Sequence, residues 1–274
     1  MKYMTFNSSC SYAGIANMLE QHGVDTCDRT IALEMKLPYL FSYRDGVYLS
    51  GPMLQTAEWF DLYLSPLGYR LDERIVPADK LVDYLMEQKA AMLGIKMETA
   101  GKHAVIYAAT ESNELVFLNN KWETEESPSV IRLTAEELRE RVDAEVAVAT
   151  LQEIEPTPID FAPRIEASIP ILQSNFAEIE ELSQAEETVG TLRSKLNTLF
   201  RPLFLDGITM LNLIGETELA SDFADRQAEL LTALRRAPAD RIVLKDYISI
   251  EKLRVSVMKY TDLITETLNG IKNN

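Results

Sequence analysis

The stretch Glu153-Ile154-Glu155-Pro156-Thr157-Pro158 separates two regions whose hydrophobic patterns have different periods. Before it, short apolar runs rich in β-branched and aromatic residues alternate with segments of helical spacing. After it, only helical spacing is found. A chain whose period changes at a proline-marked linker reads as an α+β domain over residues 1–152 followed by an all-α helical bundle over residues 160–274.

In the first region helices are expected from Cys10 to Gly23, near Thr30–Met35, over Met53–Leu64, over Ala78–Glu87 behind Pro77, and over Ala135–Val142. Strands are expected at Tyr69–Val76, Ala90–Lys96, His103–Ala109, Leu115–Leu118, Val130–Leu133 and Val146–Leu151. Pro38–Pro52 reads as an aromatic loop, and Thr134 with Glu137 as a capping box. In the second region helices are expected at Ile165–Leu182, Glu187–Leu199, Thr217–Arg235 and Ile248–Leu268, with no strand. Pro170 is expected to mark a kink and Pro202 a boundary, with the apolar residues of Asp206–Gly215 in the bundle core.

Chemistry points to Cys10. Ser9 is a fitting N-cap, which puts the thiol in a first helical turn, where free N–H groups and the helix dipole favour thiolate. The plainer reading of a lone cysteine, a small buried hydrophobe, stands beside it. The chain has two histidines. His22 lies twelve residues along the same helix, ~18 Å from the thiol, and reads as an exposed helix end. That leaves His103, which opens a strand. Glu111-Ser112-Asn113-Glu114 reads as the turn of a hairpin whose return strand ends in Asn119-Asn120-Lys121-Trp122. A two- or four-residue loop puts His103 opposite Trp122 and Asn120 diagonally beside it on the same face. An odd loop selects Asn119 instead. An amide oxygen there would fix the imidazole's tautomer and orientation.

A cysteine opening an N-terminal helix, then a strand beginning His-Ala-Val, then Asn-x-Trp closing a hairpin, resembles the papain-like cysteine peptidases. The segment Cys10–Gly23 is similar to the compact C39-type peptidase domains. A looser likeness, resting on that helix, on Leu37–Gly51 and on the attached helical region, is to the N-terminal domain of the butirosin-biosynthesis H family of acyltransferases. The resemblance covers about residues 1–152. It implies a papain-like or C39-like fold and a triad of Cys10, His103 and Asn120, with Asn119 as fallback and Trp122 shielding the His–Asn contact. It also implies a thioester intermediate formed from a peptide, amide or thioester substrate, with water or an amine completing the cycle as hydrolase or acyltransferase. The family carries a glutamine six residues before the cysteine to help bind the oxyanion; here that position is Met4, which donates no hydrogen bond. Asn7 and Gln55 are candidate replacements. The alternative is a catalytically degenerate, peptide-binding protein.

The net charge is -16, with -9 over residues 1–150 and -7 over the rest. Neither half is basic, which argues against nucleic acid and anionic membranes as partners and favours a neutral or cationic peptide or amine. Eleven glycines form no phosphate-cradling motif, so no cofactor is expected. Glu123, Glu125 and Glu126 read as a solvated turn, and no metal is expected. Cys27, between acidic residues, reads as inert, and the two cysteines form no disulfide framework. Neither a secretory segment nor an apolar run of ~20 residues is read, so a cytoplasmic location is expected. The helical half is expected to cover the cleft, recognise substrate or form a homodimer.

Overall fold

The computed structural model describes residues 3–6, 10–97, 101–119, 121–122, 129–236 and 241–273. The chain forms two compact units. Met1–Met35 and Gln55–Ile159 make the first, and Lys36–Leu54 with Asp160–Asn274 make the second. Residues 36–54, expected in the first domain, thus lie in the second unit. The linker is held by the first: Ile154 donates to the Gly68 carbonyl at 2.8 Å and Thr157 to the Ser65 carbonyl at 2.9 Å.

Unit one opens with β1 (Tyr3–Met4), α1 (Ser11–Gln21) and α2 (Asp28–Glu34). The chain then enters unit two for the hairpin β2 (Phe41–Arg44) and β3 (Val47–Ser50). It returns through α3 (Ala57–Leu64), β4 (Tyr69–Pro77), α4 (Leu81–Met86), β5 (Ala91–Met97), β6 (Gly101–Glu111) and β7 (Glu114–Asn119). The short β8 (Lys121–Trp122), then β9 (Ser129–Leu133), α5 (Ala135–Arg141) and β10 (Glu145–Glu153) complete it. Six strands form one antiparallel sheet in the order β4-β10-β5-β6-β7-β9. Side chains alternate across it. Leu93, Val105, Phe117 and Val148 meet Leu81, Leu85 and Leu138 of α4 and α5 in one core. Residues of the opposite parity, Met92, Gly94, Ala104 and Ala147, surround Ser11 at the start of α1. The α1 stripe Ile15, Met18 and Leu19 is fully buried, and Gly23 ends the helix at φ +81°. The Thr134–Glu137 capping box is formed.

Unit two adds α6 (Ala162–Gln184), β11 (Glu186–Thr188), α7 (Val189–Ser194), α8 (Ile208–Leu213), α9 (Thr217–Arg236), β12 (Arg241–Val243) and α10 (Ile250–Lys272). Two expectations fail here, the loop over Pro38–Pro52 and the absence of strands after the linker. Asp45 (φ +53°) and Gly46 (φ +79°) turn the β2–β3 hairpin where a loop was expected, and β11 pairs with β12. Ser168 of α6 accepts from Phe41 N–H at 2.9 Å, Tyr48 donates to Glu178 at 2.6 Å, and Tyr260 donates to the Pro38 carbonyl at 2.7 Å. The hairpin is thereby stitched into the helices. α6 runs unbroken through Pro170, the expected kink. Leu196–Phe200 and Pro202–Gly207 are wide π turns. Asn175 and Ser50 donate to the Leu199 and Pro202 carbonyls within them, at 2.8 and 2.9 Å. Met210 and Leu211 are fully buried, as expected of core. The fold class is α+β with a helical second unit. No helix among the described residues is long and apolar enough to cross a membrane.

Candidate functional site

Cys10 is itself the N-cap of α1. Ser9, expected in that role, lies outside the described residues, and the helix starts one residue later than read. The Cys10 carbonyl accepts from Gly14 N–H at 2.9 Å, so the first intrahelical bond begins at the nucleophile candidate. Its side chain is half-buried. The nearby backbone N–H groups of Ala104 and of Cys10 itself favour negative charge on the sulfur. Burial outweighs both and pushes the thiol pKa up, the opposite direction to the helix-activated lowering expected.

The Ala104 N–H belongs to the peptide that joins it to His103. Strand N–H groups lie in the plane of a sheet and point at its edges. β5 lines one edge of β6 through the pair Met97–Gly101. On the other edge the described β7 pairing ends at Val105–Asn119. Ser11 lines one cleft with Ala104, so Cys10 lies close to the residue after His103, whose own side chain is on the other face of β6, with Val105.

The register corrects the expected hairpin parity. The loop is the two-residue turn Ser112-Asn113, with both φ angles positive (+51° and +70°). A bulge between Tyr107 and Ala109 then shifts the pairing by one residue. Asn119, the fallback in the expected triad, falls on the face shared by His103 and Val105, one diagonal step from His103. The Asn119 Oδ1 is shielded from solvent and meets no donor among the described residues. Asn120 and Asn7 lie outside the described residues, as does the Trp122 side chain. The Trp122 backbone pairs in parallel with Met4.

Met4 is buried and offers no donor. Gln55 is a residue whose place the sequence left open: Ser11, next to Cys10, donates its hydroxyl to Gln55 Oε1 at 3.2 Å. Beside Ser11 a cleft of about 150 Å³ is lined by Glu73, Met92, Gly94, Ala104 and Ala147. His22 is half-buried, not exposed. Its ring meets Tyr69 edge-on at 5.3 Å, its Nδ1 has no partner among the described residues, and burial lowers its pKa. Cys27 caps α2 and its sulfur lies 3.3 Å from Thr30 Oγ1. Among the described residues no group of three His, Cys, Asp or Glu is arranged to hold a metal ion.

No protein-family model and no curated protein matches the chain. Among solved structures, the peptidase domain of Streptococcus ComA, a bifunctional ABC transporter of a quorum-sensing pathway, is similar over 55% of this chain and 96% of its own. The identity is 14% and the TM-score 0.36, which makes the likeness a loose one.

Proposed function

We propose that the first unit is a cysteine acyl-transfer enzyme of the peptidase or amidase type, acting on a peptide, amide or thioester. The observation that carries this reading is the place of Cys10 at the N-cap of α1, whose first residue, Ser11, lines one cleft with Ala104, the neighbour of His103. The Asn119 oxygen, on the face of His103 and without a donor among the described residues, is in keeping with it.

In this reading His103 takes the thiol proton as sulfur attacks the carbonyl carbon, because a desolvated thiol does not ionise unaided. Asn119 holds the imidazole in the tautomer that can accept that proton. Collapse of the tetrahedral intermediate leaves a thioester on Cys10, and His103 returns the proton to the departing amine or thiol. Water or an acceptor amine then releases the acyl group. The raised thiol and the buried Met4 favour a second reading, a degenerate domain that binds a peptide in the same cleft without chemistry.

Incubation with short acyl thioesters and peptide amides, followed by intact-mass measurement, separates the two. The expected result is one acyl adduct on Cys10, absent in Cys10→Ser and formed ~10²-fold or more slowly in His103→Ala. An adduct that forms as fast in His103→Ala, or none at all, refutes the enzyme reading.

A further inference from the structure

A tetrahedral intermediate on Cys10 places negative charge on the former carbonyl oxygen, and a site built for it needs donors fixed before the reaction. The backbone N–H groups of Cys10 and Ala104 are near the sulfur and favour negative charge there. Met4 has no donor side chain, and its backbone is paired with β8. A side-chain donor has to come from another part of the fold.

Gln55 precedes Thr56, the N-cap of α3. Two adjacent contacts fasten this helix start to the first turn of α1. Ser11 donates to Gln55 Oε1 at 3.2 Å, and the rings of Tyr12 and Phe60 meet edge to face at 4.9 Å. Tyr12 and Phe60 are both buried, so the second contact is rigid. With its oxygen held by the residue after Cys10, the Gln55 carboxamide carries its NH2 group one carbon away, at the same helix end.

We infer that the Gln55 carboxamide is the side-chain oxyanion donor of the Cys10 site, supplied from the helix after the nucleophile rather than from the segment before it. This rests on the acyl-transfer reading of Cys10 and specifies how its transition state is stabilised. A donor that bonds the oxygen only as it becomes charged accelerates acylation and leaves reactions without an oxyanion unchanged.

Two reagents exploit that difference in a Cys27→Ser background. Iodoacetamide alkylates sulfur by displacing iodide and develops no oxyanion. With p-nitrophenyl acetate, sulfur adds to the ester carbonyl, the C–O bond to the aryl group breaks, and p-nitrophenolate leaves an acetyl thioester. Gln55→Ala is expected to slow acetylation of Cys10 by ~10²-fold and to leave alkylation within about twofold of the parent. Gln55→Glu keeps the shape without an NH2 donor; it is expected to behave likewise and serves if the alanine variant does not fold. Equal losses in both reactions would make Gln55 a packing residue and overturn the inference, as would acetylation unaffected in either variant. A parent protein alkylated at Cys10 but acetylated no faster than free cysteine overturns the donor alone. Cys10 inert to both reagents overturns the thiol reading and the donor with it.

Discussion

Replacing Asn119 by leucine separates a structural role from a functional one. A buried carbonyl oxygen without a donor costs about 1–3 kcal/mol relative to one that is satisfied, whereas an apolar group of similar branching has no such penalty. The Asn119 Oδ1 is in that position. The residue as a whole is half-buried, so the bulkier leucine has room to relax outward. The expected outcome is a change between about zero and 1 kcal/mol in the stabilising direction, which for a unit of this size is up to about 2–4 °C in Tm. Both tryptophans, Trp59 and Trp122, belong to unit one, so fluorescence during urea unfolding reports this unit rather than its neighbour. Acetylation of Cys10 is expected to fall in the same variant, because the imidazole loses its orienting oxygen. Polar groups that reduce stability and raise activity mark working sites. Destabilisation by more than about 1.5 kcal/mol would mean that the oxygen is a structural acceptor. An unchanged or stabilised protein with undiminished acetylation would refute the orienting role.

Asp28 is buried and accepts Thr5 N–H at 2.5 Å, the Thr5 hydroxyl and Arg29 N–H at 2.7 Å, tying the segment before Cys10 to α2. Asp28→Ala leaves those donors unpaired, and a loss of about 3 kcal/mol is expected in urea unfolding, with slower Cys10 acetylation. Lys96 and Lys102, each 2.9 Å from Asp143, hold its pKa down to about 2. A depressed carboxylate stabilises the fold above its unfolded pKa of ~3.9 and loses that contribution as pH falls toward 2; the acid limb of stability between pH 4 and 2 should flatten in Asp143→Asn. Gly51 has φ +49°, and a Cβ there would lie 2.9 Å from Met210 Cγ. Gly51→Ala should destabilise unit two by about 2–3 kcal/mol, read as helix loss by circular dichroism, with unit-one fluorescence unmoved.

Much of unit one was legible in the sequence because its signals are local. Gly23 stops α1 where a left-handed residue is needed, and Thr134 with Glu137 caps α5. The six-stranded sheet follows from alternation in runs such as Val146-Ala147-Val148. The register of the His103 hairpin was not legible. The turn was placed at Ser112-Asn113 with its length left open, but the bulge between Tyr107 and Ala109 brings Asn119 to the face of His103, and no turn residue announces it. Asp45-Gly46 did announce a hairpin; the surrounding aromatic residues and glycines read as loop, and their pairing depends on helices more than a hundred residues away. The direction of the Cys10 pKa was hidden for the same kind of reason. A helix N-terminus is visible in sequence, while the burial that overrides it exists only once the chain has folded.

The passage of residues 36–54 into unit two has a consequence in time. Tyr48 and its partner Glu178 are separated by 130 residues. At ~5–20 residues per second, a ribosome needs roughly 7–26 s to make the second after the first. During that interval the β2–β3 hairpin exists without the helix that receives it, and an isolated hairpin is only marginally stable in water. Phe41 and Tyr48, buried in the finished protein, spend it exposed to solvent and to other nascent chains. The slow element in the birth of this protein is therefore a short early segment kept waiting for a helix made more than a hundred residues later.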